Sequence, residues 1–86
     1  MTTKIEDIHR ALSNPDRIAI MDYLARIGKP ASVGEVAAGV HRSQTWTSKC
    51  LQILAEVGLI DRRQEDQTVW NSIAARAVWP LVIWRE

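Results

Sequence analysis

Ser43-Gln-Thr-Trp-Thr-Ser-Lys-Cys-Leu-Gln-Ile-Leu-Ala-Glu-Val-Gly-Leu-Ile60 reads as one helix with its start, its two faces and its exit written in. Ser43 suits the N-cap, because its hydroxyl can accept from a free backbone N–H of the first turn. Leu51, Leu54 and Ala55 recur at helical spacing, with Thr47 one turn before Leu51. Gly58 supplies the left-handed residue that ends helices. The opposite face, near the N-terminus, carries Gln44, Thr45, Ser48 and Lys49. Short hydrogen-bonding groups and a cation on such a face can reach base edges and phosphates in a major groove. An ordinary amphipathic helix also shows such a face to solvent. The flanking sequence decides between the two.

Upstream, Ser32-Val-Gly-Glu35 is a capping-box pattern that opens a short helix with Val33, Val36 and Ala37 inward. Gly39-Val-His-Arg42 then forms a tight turn before Ser43. Two short capped helices joined by such a turn make a helix-turn-helix. Further back, Ser13-Asn-Pro-Asp16 is a boundary, with Asn14 as cap and Pro15 at the first helical position. The helix it opens runs to about Ile27 on a stripe of Ile18, Met21, Leu24 and Ala25, flanked by Ile20 and Ile27, and Gly28-Lys-Pro30 stops it. Lys4 to Leu12 forms a first helix with Ile5, Ile8 and Leu12 on one side.

Downstream the period changes. Leu59 to Arg63 and Gln67 to Ile73 are rich in β-branched and aromatic residues, which predicts two antiparallel strands with a turn at Glu65-Asp66. A hairpin directly after such a helix is a wing, with Trp70 expected over its inner face. From Ala74 to Glu86 the chain is apolar nearly all round, with Arg76 the only charge before Arg85. In a small domain this points to a subunit interface built from Val78, Trp79, Leu81, Val82 and Trp84, with help from Ile5 and Ile8. Pro80 either kinks that helix or marks its start. The expected fold is mainly α with a small β-hairpin, a winged helix-turn-helix in the order α-α-α-α-β-β-α. It fills residues 1–86 as one domain, with 74–86 a dimerisation segment.

The 86 residues leave no room for a second domain, and so small a core makes a partner subunit expected. The net charge is only +1, but its distribution is uneven. Arg42, Lys49, Arg62 and Arg63 outnumber Glu56 and Asp61 around the decisive helix, while the last stretch is slightly acidic. No run is long and apolar enough for a membrane span, and the N-terminus has no apolar signal core, so the chain is expected in the cytoplasm. No catalytic constellation or Gly-rich phosphate loop is present, so an enzyme is not expected, nor a cofactor.

Taken together, Ala11-Leu-Ser-Asn-Pro-Asp-Arg-Ile-Ala-Ile-Met-Asp-Tyr-Leu24, Ser32-Val-Gly-Glu-Val-Ala-Ala38 and the Ser43 to Ile60 stretch resemble the ArsR/SmtB family of bacterial and archaeal winged-helix repressors. The resemblance covers roughly residues 10–73. It implies a homodimer, nucleoid-associated in a prokaryote, that represses transcription at a near-palindromic double-stranded DNA operator. The recognition helix would enter the major groove, the wing would touch backbone or minor groove, and the first and last helices would form the dimer. Metal sensors of this family often carry Cys-x-Cys on the third helix or His and carboxylates on the last. Here both helices lack them, so no metal site is expected. Cys50 stands where a His is usual, Arg42 where an apolar residue is, His41 where a Gly is, and Glu65-Asp66 where the wing tip is often basic.

Residue by residue, Gln44, Thr45 and Ser48 are the candidates for reading bases, and Arg42, Ser43, Trp46, Lys49, Arg62 and Arg63 for the DNA backbone. Trp46 either stacks on a sugar or thymine methyl, or packs on the neighbouring helix. Cys50, the single cysteine, is either a redox sensor or a packing residue. His9 and His41 are metal ligands or plain surface and turn residues. The inducer, if one exists, leaves no mark. The rival function is a winged-helix module that binds protein rather than DNA, which the low net charge and the acidic wing tip favour.

Overall fold

Capping chemistry sets the helix boundaries in the computed structural model, which describes residues 5–75. The elements are α1 (Ile5–Ala11), α2 (Pro15–Ile27), β1 (Ala31–Ser32), α3 (Val33–Val40), α4 (Gln44–Glu56), β2 (Ile60–Glu65) and β3 (Thr68–Ile73). The Asn14 side chain accepts from the Asp16 backbone N–H at 2.8 Å, with Pro15 behind it. Gly28, at φ 65°, closes α2 by donating to the Leu24 carbonyl. The capping box of α3 is complete: Ser32 Oγ accepts from Glu35 N–H at 3.2 Å, and Glu35 Oε1 accepts from Ser32 N–H at 2.9 Å. His41, not a glycine, takes the left-handed position after α3 at φ 60°. Ser43 caps α4 by accepting from Trp46 N–H at 3.1 Å.

The helices pack on one face of a three-stranded antiparallel sheet of order β1-β3-β2. Ile20, Met21, Leu24, Val36, Leu51 and Leu54 are fully buried, closed below by Leu59 and Ile60. Gly39 lets the Tyr23 ring lie against α3: a Cβ there would stand 2.2 Å from the ring.

Four details differ from the sequence reading. A third strand exists, because Ala31 and Ser32 pair with Asn71 and Trp70; two residues are too few to leave a periodic signal. The hairpin turn is Asp66-Gln67, one residue later than expected, since Glu65 pairs with Thr68. Asp66 takes φ 55°, which Asp tolerates better than most residues. That register places Ile60, Arg62 and Asn71 on the helix-facing side, and Asp61, Arg63 and Trp70 on the other, because successive side chains of a strand alternate. Trp70 therefore does not cover the inner face; Asn71 does, at 0% exposure. In α2 the inward stripe is Ile20, Met21, Leu24 and Ile27, an equally helical set, and Ile18 and Ala25 face outward.

Candidate nucleic-acid interface

The start of α4 divides its side chains cleanly. Thr47, Cys50, Leu51 and Leu54 are buried. Gln44, Thr45, Ser48 and Lys49 line a shallow open hollow, with Val33 from the start of α3 as its apolar wall. Gln44 lies across Gly34, whose missing Cβ would sit 3.4 Å from Gln44 Nε2. Among the described residues, no side-chain hydrogen bond or ion pair engages these four polar groups. Such a face meets a ligand without first breaking internal bonds.

The neighbouring candidates are engaged elsewhere. Asp16, in the first turn of α2, accepts from Trp46 Nε1 at 2.7 Å on one carboxylate oxygen and from Arg42 Nε at 3.1 Å on the other. One acid thus ties the start of α2 to both sides of the Ser43 cap. Trp46 stays 37% exposed, with its indole N–H tied to the start of α2. Arg42 also donates to the His41 carbonyl, and the Ser43 hydroxyl serves as the cap. Sequence reasoning missed Asp16, which lies 26 and 30 residues from its partners and carried only a helix-start signal.

The wing separates its two arginines. Arg62 Nε donates to Asn71 Oδ1 at 2.8 Å on the helix-facing side. Arg63 pairs with Glu65 at 3.2 Å on the other, where it flanks a second hollow with Pro30, Asp61 and Trp70. Strand alternation thus puts these two candidate phosphate contacts on opposite faces of the sheet.

The Cys50 thiol is fully buried, and that burial pushes it above its ordinary value, with the Arg17 charge acting the other way. A thiol without solvent access and held protonated is a packing group, so the redox role finds no support in its surroundings. His9 lies on α1 and His41 caps α3. Among the described residues, no three His, Cys, Asp or Glu gather into a metal-binding group. Ile8 packs against the core edge and Ile5 is half-buried. Val78, Trp79, Leu81, Val82 and Trp84 lie outside the described residues.

Residues 12–63, more than half of the chain, match the family model described as a helix-turn-helix domain. The solution structure of the homodimeric winged helix-turn-helix DNA-binding domain Mb0332 from Mycobacterium bovis, a possible ArsR-family transcriptional regulator, is similar at 30% identity and a TM-score of 0.75. The match covers 83% of this chain and 64% of that one, so the chain spans less than two thirds of it. The chain belongs to the winged helix-turn-helix family, in its ArsR-like form. Reduced HlyU from Vibrio cholerae is similar at 30% identity over 81% of this chain and 72% of its own, with a TM-score of 0.71. No curated relative matches. The ArsR-like fold also occurs inside human N-acetylserotonin methyltransferase, at 24% identity over 79% of this chain and 20% of that one, with a TM-score of 0.68. That likeness is of fold alone, and function has to come from the site. Among the described residues, no helix of this ArsR-like chain is long and apolar enough to cross a membrane.

Proposed function

We propose that this chain is the sequence-specific, duplex-DNA-binding part of a transcriptional regulator, acting as a homodimeric repressor at a near-palindromic operator. The observation that carries this reading is the polar face of α4: Gln44, Thr45, Ser48 and Lys49 around one open hollow, all uncommitted. Gln44, Thr45 and Ser48 read base edges, and Lys49 and Arg62 meet phosphates. The described homodimeric, DNA-binding state of the Mycobacterium bovis domain supports the assembly. Residues 74–86 form the dimer contact together with α1, and the regulator works in a prokaryotic cytoplasm on the nucleoid. It senses no metal, because its third helix offers Val-Gly-Glu-Val-Ala-Ala in place of thiols.

Selection from a random pool of duplexes, followed by sequencing, tests this. A two-fold dimer sets its recognition helices about 34–36 Å apart, so the enriched motif should hold inverted half-sites one helical turn apart or a multiple of it. Gln44→Ala should relax one position per half-site, a loss of about 1–3 kcal/mol of discrimination. An unenriched pool, with no salt-dependent binding, would favour the protein-binding module instead.

A further inference from the structure

We propose that Asn71 is a positioning residue that presents the Arg62 guanidinium to a backbone phosphate of duplex DNA. This rests on the DNA-binding reading above and names a group within it.

Asn71 is an unusual residue to find at 0% exposure in the middle of a three-stranded sheet. A buried amide is costly unless its donors and acceptor are all used. Its Nδ2 donates to the Ala31 carbonyl at 3.0 Å and the Val69 carbonyl at 3.3 Å. Two carbonyl acceptors fix which end of the amide is nitrogen, so Oδ1 must point at Arg62. The tie to β1 explains Nδ2. Only Arg62 explains Oδ1.

What the amide does to Arg62 differs from what a carboxylate would do. Arg42 is held by Asp16 and Arg63 by Glu65, and in both pairs the opposite charge sits on the cation. Asn71 holds Arg62 through Nε alone and leaves its full positive charge. Among the described residues no acceptor engages the two Nη groups, the edge that grips a phosphate in bidentate fashion. The fixed Nε also removes rotamer freedom before any ligand arrives, which lowers the entropy lost on binding. The cation stands on the helix-facing side of the sheet. Its anchor bonds to Ala31, two residues before the Val33 wall of the α4 hollow.

The test is binding of the full chain to random-sequence duplexes of one length across a salt series. Wild type should lose affinity linearly in log–log form, and Arg62→Ala should flatten the slope by about 0.9 for the lost phosphate contact. Arg62→Lys keeps the charge but cannot use Nε on Asn71 and a fork on phosphate together. It should keep the slope and bind about tenfold more weakly, within the range of one charge-assisted hydrogen bond. Asn71→Asp, checked for fold by circular dichroism, should copy the flattened slope, because the new carboxylate cancels the cation it holds. A buried carboxylate can also unfold the chain, so Arg62→Lys and Arg62→Ala, with Asn71 intact, carry the test without it. Wild-type affinity in Arg62→Lys, or an unchanged slope in Arg62→Ala, would overturn the proposal while leaving DNA binding in place. Wild type that binds no duplex at any salt would overturn both.

Discussion

The start of the recognition helix and the wing hairpin both carry arginines, yet they hold them in opposite ways. At the helix, one acid takes Arg42 and Trp46 together and leaves Gln44, Thr45, Ser48 and Lys49 free. In the wing, a neutral amide takes Arg62 on one sheet face and an acid takes Arg63 on the other. A count of cations treats all of these as equal. The structure ranks them by the charge on their partner, because an ion-paired arginine has to give up that partner before it gains a phosphate. The helix end is therefore built to hold a shape, and the wing's inner face to hold a charge ready.

This contrast depends on α4 being a rigid platform, and the largest expected effect removes it. Leu51 is fully buried beneath the polar face. Leu51→Ala should cost about 2–5 kcal/mol, from lost burial and the cavity left behind. Denaturant unfolding measures it. A loss under about 1 kcal/mol would mean that α4 is not seated as described.

The second expectation gives the helix end an arginine free of its acid, as the wing's inner face already has. Asp16→Asn keeps an oxygen for the Trp46 indole N–H but removes the charge on Arg42. The DNA salt slope should then steepen, as the amide NH2 faces Arg42 Nε and leaves Arg42 a cation with no carboxylate on it. Asp16→Ala should instead cost stability, about 1–3 kcal/mol, since it loses a charge at the α2 N-terminus and two hydrogen bonds. The Trp46 indole proton in NMR reports the difference, shifting little in the amide variant and strongly in the alanine one. Equal slopes in wild type and Asp16→Asn would show that Arg42 stays off the DNA whatever its partner.

How much of this was legible follows the range of the interactions. The caps at Asn14, Ser32 and Ser43 were readable because a cap acts over three residues, and each does what its sequence position implies. The Leu51–Leu54 stripe was readable because periodicity survives packing. The Asp16 clasp was not, since a half-exposed acid gives no local sign of partners on another helix. The wing's existence was legible from its β-branched residues, but its register was not. Without a Gly the turn could start at Glu65 or Asp66, and moving a two-residue turn by one position shifts the strand pairing by two residues. Either turn leaves Asn71 on the face of Ile60 and Arg62; Trp70 was expected inside because a large aromatic is a commoner buried residue than an amide.

A smaller effect concerns the thiol beneath the recognition helix. In the unfolded chain Cys50 ionises near its ordinary value of 9.0, and in the fold burial raises it. The unfolded state therefore releases its proton first as pH rises. The contribution is fully present below that ordinary value and is lost above it. Stability should fall through the alkaline range, less so in Cys50→Ala when each is compared with its own value near neutrality. Alkylation of the native thiol should also wait for unfolding. Fast labelling under native conditions would return Cys50 to the list of reactive residues.

The smallest expected effect is the sharpest on the wing itself. Arg63 and Glu65 are both well exposed, with side chains 70% and 56% accessible, and water screens such a pair to about 0.2–1 kcal/mol or less. Arg63→Ala should thus barely change stability, and it should flatten the salt slope less than Arg62→Ala does. Glu65→Gln separates the two possible reasons for that. If Arg63 is quiet only because Glu65 neutralises it, the glutamine variant should steepen the slope toward a full extra contact. If Arg63 is quiet because strand alternation aims it at the face away from the helices, the slope should stay where it is. The register, with Arg63 opposite Trp70 and Arg62 opposite Asn71, supports the second outcome. A steeper slope in Glu65→Gln would place DNA against the outer face of the sheet as well, and the ranking of the two arginines would then rest on charge alone.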